Sequence, residues 1–396
     1  MRVGISTVVM ERGHTGIAQY IFSLTRALAA QAGGHEFTLF VLEEDLPSFD
    51  FAKTRMHLVP VAERFRPAGR NIFWHQMELP RLARELELDV LHVPSDRRML
   101  WSRPCALVAT IHDLAPFRLK RHCDGKRMVY GQMIMPRLAR RQHEIIAVSQ
   151  RTALGIATCL RVPAERVTVV YNGVDRERFF PGSREASRSE VAERFELRQP
   201  FFLHVAWLEH PDKNHVQLIE AFSRFKAETR SSWQLALGWN DCRVAETIRK
   251  AIRQSPSARD IRCLGFVPER DLPSLYRGAD VFVCPSLDEN FGLPPVEAMA
   301  CGCPVLCSTG GVPGEFVGEA AVAVDTEDVE AMTRQLSRLA SDRDLRERLR
   351  ATGLAHAQQF DWTKAATATA EVYSRAAARA VSTRVVLATA RCRLSV

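Results

Sequence analysis

Two glutamates, Glu289 and Glu297, stand with seven residues between them in the stretch Pro285-Ser286-Leu287-Asp288-Glu289-Asn290-Phe291-Gly292-Leu293-Pro294-Pro295-Val296-Glu297. An apolar run ends at Cys284 just before it, so a strand gives way to a turn. Gly292 lets the backbone of that turn approach a ligand, and the tandem prolines open a helix where their missing N–H groups cost least. A helix N-terminus carries about half a positive charge and unpaired N–H donors, so phosphate can sit against it without a metal ion. A carboxylate accepts two hydroxyls at once, so one glutamate could hold a sugar and the other a ribose diol. A hydrolytic acid/base pair is the competing enzymatic reading, but there both carboxylates face one bond, and a Glu297 inside the helix points elsewhere. Glu297 could also be no more than favourable charge in a first helical turn.

The elements that would position this turn can be read from hydrophobic periodicity. Strand-like runs at Val3–Val9, Phe37–Leu42, Val90–Val93, Ala106–Ile111, Ile145–Val148 and Val167–Tyr171 alternate with helical patterns such as Ile17, Tyr20, Ile21, Leu24 and Leu28. After Phe180 the segment Pro181-Gly182-Ser183 and a charged stretch to Pro200 interrupt the alternation. It restarts with strands at Phe201–Ala206, Gln234–Gly238, Ile261–Leu264, Val281–Cys284 and Pro304–Cys307 and with helices near Val216–Phe225, near Val244–Ile252 and from Pro294. Strands alternating with helices predict parallel sheets covered on both faces, the doubly wound α/β class. The expected division is residues 1–182, 183–362 and a closing helix with a basic tail over 363–396. In such sheets ligands bind beyond the carboxyl ends of the strands, where the Glu289 turn lies.

Composition sets the wider bounds. A chain of 396 residues with 46% apolar and 25% charged residues has the makeup of an ordinary globular protein of two or three domains. Its ten cysteines include no Cys-x-x-Cys pair, and Cys301, Cys303 and Cys307 lack a zinc spacing, which predicts buried packing, no metal and a reducing, cytoplasmic setting. No apolar run approaches the ~18 residues that span a bilayer. The net charge of +8 lies wholly in the first part, since residues 1–180 hold 26 Lys and Arg against 18 Asp and Glu. Its densest portion, from Arg118 through Lys126 to Arg137, Arg140 and Arg141, is interleaved with Met128, Tyr130, Met133 and Ile134. Such a face suits an anionic lipid surface or an anionic substrate, or is simply a solvated helix face. No nucleic-acid-binding motif accompanies it.

The Glu289–Glu297 pattern with Phe-Gly-Leu inside it resembles glycosyltransferase family 4, the retaining nucleotide-sugar enzymes of the GT-B architecture. The resemblance runs from Val3 to about Trp362 and includes Gly13-His14-Thr15-Gly16-Ile17, Thr110-Ile111-His112-Asp113-Leu114, Tyr171-Asn172-Gly173-Val174-Asp175, Lys213-Asn214, Leu264-Gly265-Phe266-Val267 and Gly310-Gly311-Val312-Pro313. It implies two facing Rossmann-like domains, with a C-terminal helix returning to the first. By residue, it implies that Glu289 binds donor sugar hydroxyls, that backbone amides at Phe291, Gly292 and Leu293 meet the sugar and diphosphate, and that Glu297 holds the ribose. Lys213 would neutralise the diphosphate leaving group, the amide of Gly16 would close on that diphosphate, and His112 would lie beside the reacting sugar.

The reaction implied is front-face transfer of a hexose from a nucleotide diphosphate sugar to a glycan or lipid-linked acceptor, without metal or other cofactor, by a protein peripheral on the inner face of the membrane. The family usually carries an arginine shortly before the lysine, where this sequence has Trp207. A non-catalytic nucleotide- or glycan-binding homologue and a nucleotide-sugar epimerase therefore stand as alternatives.

Overall fold

The computed structural model describes the chain except residues 11–15, 32–33, 115–116, 118–127, 207–212, 239–244, 311–317 and 394–396, with side chains to residue 382. Two units result, Met1–Gly173 with Trp362–Val396 and Val174–Asp361. The change of unit therefore falls after Gly173, ahead of the break expected at Gly182.

In the first unit, seven strands form one parallel sheet: β1 (Arg2–Ser6), β2 (Glu36–Leu42), β3 (His57–Val61), β4 (Val90–Val93), β5 (Ala106–Ile111), β6 (Glu144–Ala147) and β7 (Val167–Val169). Their order is β3-β2-β1-β4-β5-β6-β7. The strand β3 was not anticipated, because its sequence His-Leu-Val-Pro-Val carries a proline and half-buried positions, which a sheet tolerates only at an edge. Helix α1 (Gly16–Ala30) buries Tyr20, Ile21, Leu24 and Leu28 on one side of the sheet, as their spacing requires. On the other side lie α2 (Ala68–Phe73) and α3 (Leu79–Glu85), joined by a π-helical turn over Trp74–Glu78, and α4 (Met135–Ala139), preceded by a π-helical turn over Tyr130–Ile134. Right-handed crossovers account for the sides: β1 to β2 runs one way across the sheet, while β3 to β4 and β5 to β6 run the other. Helix α5 (Gln150–Cys159) leads to β7 and starts on Ser149, whose Oγ accepts the Thr152 N–H at 3.0 Å.

The second unit has six parallel strands, β8 (Phe201–Val205), β9 (Gln234–Gly238), β10 (Ile261–Gly265), β11 (Val281–Cys284), β12 (Val305–Ser308) and β13 (Val322–Val324). Their order is β10-β9-β8-β11-β12-β13, so the direction of winding reverses between β8 and β11. The charged stretch expected to separate the domains is instead helix α6 (Arg184–Arg194), capped by Ser183. Only Ser187 and Val191 of it are buried, which leaves almost no apolar stripe to read. Ion pairs dock it: Arg184 and Arg188 on Asp280, which is buried at the foot of β11, and Arg194 on the buried Asp271 at 2.7 Å.

Helices α7 (His215–Thr229), α8 (Ala245–Gln254), α9 (Leu272–Gly278), α10 (Leu293–Ala300), α11 (Val329–Ser341) and α12 (Arg343–Ala357) complete this unit. One core joins Phe202, Leu235, Val281 and Leu306 of the sheet to Phe222 and Phe225 of α7 and Met332 and Leu336 of α11.

The last helix, α13 (Trp362–Arg393), belongs to the first unit, as the resemblance implies. Ala365, Ala366, Val372, Tyr373 and Ala376 join Val3, Ile5, Leu24 and Leu28 in one core. Among the described residues no helix is long and apolar enough to cross a membrane.

Candidate functional site

The reversal of strand order between β8 and β11 opens a crevice at their carboxyl ends, where open α/β sheets bind ligands. Both loops of interest leave from there. Lys213 follows β8 and opens the approach to α7, and Glu289 follows β11 in the loop to α10. The Lys213 Nζ lies 2.5 Å from Glu289 Oε1, and each side chain is 16% exposed, so this charge pair is shielded but reachable. Asn214 behind it adopts a left-handed conformation with φ of 56°, which asparagine tolerates better than most residues, and its amide donates to the Thr326 carbonyl at 2.8 Å. The lysine is thus anchored from the next residue.

The glutamate loop ends at Gly292, whose φ of 75° and ψ of 61° put it in the left-handed region where any side chain is strained. Leu293 is the first residue of α10, and Pro294 and Pro295 remove two of the N–H groups that a helix start leaves unpaired. Donors for a ligand at this terminus therefore narrow to the amides around Gly292 and Leu293. Phe291 is buried and packs edge-on against Phe360 with ring centroids 5.7 Å apart, which holds the loop from beneath.

Glu297, one turn further, is bonded to Tyr276 rather than to the lysine. The Tyr276 hydroxyl donates to Glu297 Oε2 at 3.2 Å from the buried face of α9. Burial of the carboxyl raises its pKa to about 7, against the lowering effects of the tyrosine bond and Arg178. Some of the residue still reaches the surface. A carboxyl poised between its two forms near neutral pH can both donate to and accept from a diol.

His204 on β8 was not anticipated as part of the site. Its Nδ1 donates to the Val283 carbonyl of β11 at 2.8 Å, which leaves Nε2 as a buried acceptor with no hydrogen-bond partner. Burial, helped by the Lys213 charge, lowers its pKa to about 4, against the hydrogen bond to Val283 and the Glu289 charge. The His215 ring packs edge-on against it at 4.6 Å. A histidine inside an apolar strand gives no pattern by which to single it out.

In the first unit, Gly16 is exposed at the start of α1, and a Cβ there would meet nothing within 4 Å. His112 follows β5 and packs edge-on against Tyr20 with ring centroids 4.7 Å apart. Burial lowers its pKa to about 4, while a hydrogen bond to the Pro94 carbonyl and the Asp113 charge oppose that shift. Its Nε2 has no hydrogen-bond partner, so Nδ1 makes the bond to Pro94 and the neutral ring presents a lone pair. Trp207, with Arg118, Lys120, Arg121, Lys126 and Arg127 of the basic stretch, lies outside the described residues.

The cysteine cluster is packed into the second unit. Burial pushes the Cys301 and Cys303 thiols up to about 12. The sequence contains one Asp-x-Asp triplet, Asp342-Arg343-Asp344. It opens α12, where Asp342 Oδ1 accepts the Leu345 N–H at 2.8 Å as a helix cap.

Comparison with known proteins agrees with this geometry. The family model Glycosyltransferase Family 4 matches residues 14–178, and Glycosyl transferases group 1 matches residues 187–356. The chain is 32% identical over 271 residues to O-antigen chain mannosyltransferase B of Escherichia coli, covering 67% of this chain and 69% of that protein. Its fold is similar to sucrose-phosphate synthase from Thermosynechococcus elongatus, with a TM-score of 0.77 at 18% identity over 95% of this chain and 98% of that one. It is also similar to HepE of Anabaena, solved with UDP and glucose, with a TM-score of 0.74 at 18% identity over 94% and 99% of the two chains. With the charge pair at the switch point, both halves matched in order and a relative aligned over two thirds of its length, this chain belongs to glycosyltransferase family 4.

Proposed function

We propose that the chain is a retaining, metal-independent hexosyltransferase that moves mannose from a nucleoside diphosphate donor to a glycan or lipid-linked acceptor. The observation that carries this reading is the Lys213–Glu289 pair at the carboxyl ends of β8 and β11. A diphosphate entering there offers the ammonium a better partner than one carboxylate, and its arrival frees Glu289 to accept sugar hydroxyls. The amides at Phe291, Gly292 and Leu293 add the dipole of α10, and Glu297 takes the ribose diol. Mannose is favoured because the relative aligned over two thirds of its length is named a mannosyltransferase.

The bond between the anomeric carbon and the diphosphate oxygen breaks as the acceptor hydroxyl bonds to the same face, and the hydroxyl proton passes to the departing diphosphate. Charge on the leaving group is then the main electrostatic load, and Lys213 carries it. This sequence has Trp207 where the family usually carries an arginine, so donor affinity rests more heavily on Lys213.

The test is incubation with GDP-mannose, UDP-glucose and UDP-galactose and a mannose-terminated oligosaccharide, with and without EDTA. Transfer from GDP-mannose that persists in EDTA and gives an α-linked product by NMR agrees with the proposal. A β-linked product, or activity that EDTA abolishes and manganese restores, contradicts it. An isomerised sugar identifies an epimerase, and binding without turnover a non-catalytic homologue.

A further inference from the structure

A cavity of about 250 Å³ opens in the second unit, lined by Arg184, Arg277 and Arg350 together with Glu347, Cys301 and Gly302. It lies at the amino ends of the strands, since Gly302 stands just before β12 and Arg184 is paired with Asp280 at the foot of β11. The Glu289 loop leaves the opposite, carboxyl end of β11. Arg184 is the first residue of α6, Arg277 sits in the last turn of α9, and Arg350 lies midway along α12. Three elements far apart in sequence thus bring guanidinium groups to one hollow, where like charges repel unless an anion joins them.

Each arginine is held by part of its fork and keeps the rest. Arg184 Nη2 donates to Asp280 Oδ1 at 2.5 Å, while its Nε is buried with no hydrogen-bond partner. Arg277 Nε donates to Ser187 Oγ at 3.1 Å, and its guanidinium lies over the Phe180 ring at 5.2 Å. Its two terminal nitrogens have no acceptor among the described residues. Arg350 Nη1 donates to the Gly302 carbonyl and Nε lies 3.5 Å from Glu347 Oε2, which leaves Nη2. Gly182 makes room for Arg277, because a Cβ there would meet the arginine Cδ at 3.2 Å and Nη1 at 3.3 Å. Capping of helix ends accounts for only part of this. Arg350 serves the carbonyl that follows α10, but the terminal nitrogens of Arg277 serve none.

The balance of charge points to a dianion. Three guanidinium groups on the cavity wall face one carboxylate, Glu347, so two positive charges are left over. Asp280 does not cancel them, because it is shared between Arg184 and Arg188 and so brings a further cation with it. The planar forks of arginine match phosphate oxygens, and a phosphate monoester carries close to two negative charges at neutral pH. Volume sets the size. At about 30 Å³ per water the cavity holds roughly eight waters, enough for orthophosphate or glycerol phosphate and too little for a nucleoside diphosphate.

We propose that this cavity binds a small phosphate-bearing dianion, at a site separate from the donor crevice. Arg277 and Arg350 give it their unpaired terminal nitrogens, and Arg184 adds its charge.

The experiment is calorimetric titration of the full chain with sodium phosphate, glycerol 3-phosphate and sodium acetate, in wild type and in Lys213→Ala, which weakens phosphate binding in the donor crevice. At least one of the two phosphates should bind both proteins with a Kd of about 1 mM or tighter, and acetate at least tenfold more weakly. Tighter binding of glycerol 3-phosphate assigns the site to a monoester, and tighter binding of orthophosphate to the free ion. Arg277→Gln and Arg350→Gln should each weaken the interaction roughly tenfold or more while GDP affinity is unchanged. Gly182→Asp keeps all three arginines but sets a tethered carboxylate beside Arg277, so it should abolish the binding and the thermal stabilisation that phosphate gives wild type. Equal binding by wild type and the arginine variants, or none up to about 20 mM ligand, overturns the proposal. Binding that Lys213→Ala alone abolishes also overturns it, and places the anion in the donor crevice.

Discussion

Tyr373 in α13 and His92 in β4 share a hydrogen bond of 2.9 Å across 281 residues of sequence. His92 continues through Nε2 to Thr110 at 2.8 Å, and Thr110 to Tyr20 at 3.1 Å, so a buried polar chain runs from the last helix to the tyrosine that packs against His112. Burial lowers the His92 pKa to about 3, so the ring is neutral and each nitrogen has one partner. Tyr373→Phe keeps the packing and removes one partner from a buried group, which costs about 1–3 kcal/mol. Thermal denaturation should show a drop of several degrees, and an unchanged melting temperature would mean that the bond contributes nothing.

The charge pair predicts unequal losses. Glu289→Gln leaves Lys213 free for diphosphate and should lower kcat while nucleoside diphosphate affinity holds or rises. Lys213→Ala removes a charged hydrogen bond worth about 1.5–3 kcal/mol, or roughly 10- to 100-fold in diphosphate affinity. Calorimetric titration with GDP and UDP, alongside steady-state kinetics, separates the two. Equal losses in both variants would show that the pair is only structural.

Glu297 should make stability depend on pH. Its pKa of about 7 in the folded chain lies above that of an unfolded glutamate, so the folded state holds an extra proton between about pH 4.5 and 7. Its contribution is full below that window and is lost as pH rises through 7, with a size of up to about 3 kcal/mol. Glu297→Gln should therefore flatten the fall in unfolding free energy between pH 5 and 8. The same variant should raise the donor KM more than it lowers kcat, and a pH profile that stays parallel to wild type counts against the buried carboxyl as its source.

Gly292→Ala tests the loop geometry. A side chain at φ of 75° costs roughly 1 kcal/mol or more of strain, although the Cβ itself would meet only Pro295 at 3.7 Å. If the loop relieves that strain by moving the amides around Leu293, donor KM should rise several-fold with only a small change in melting temperature. Kinetics identical to wild type would show that these amides do not meet the donor.

The sequence carried the sheet interiors well, because β2, β4, β5, β9 and β11 are buried on both faces and are mostly apolar along their length. It carried β3 and α6 badly, since an edge strand with Pro60 and a helix held by arginine–aspartate pairs have little periodic signal. Glu289 and Gly292 could be singled out because charge and glycine stand out beside apolar runs, whereas Lys213 came only from the resemblance. His204 and Tyr276 could not, because their roles follow from strands and helices far apart in sequence that bring Val283 and Glu297 to them.

The return of α13 to the first unit also fixes an order of events during synthesis. Residues 174–361 form an unbroken unit that can fold as soon as they leave the ribosome. The first unit, although made earlier, waits for Val372, Tyr373 and Ala376 to cover the side of the sheet that α1 shares. For the whole time needed to translate the second unit, that apolar surface has no cover. The nascent chain is then exposed to chaperones and to aggregation, and a ribosome stalled before codon 362 would release a second unit complete in sequence beside a first unit with an open core.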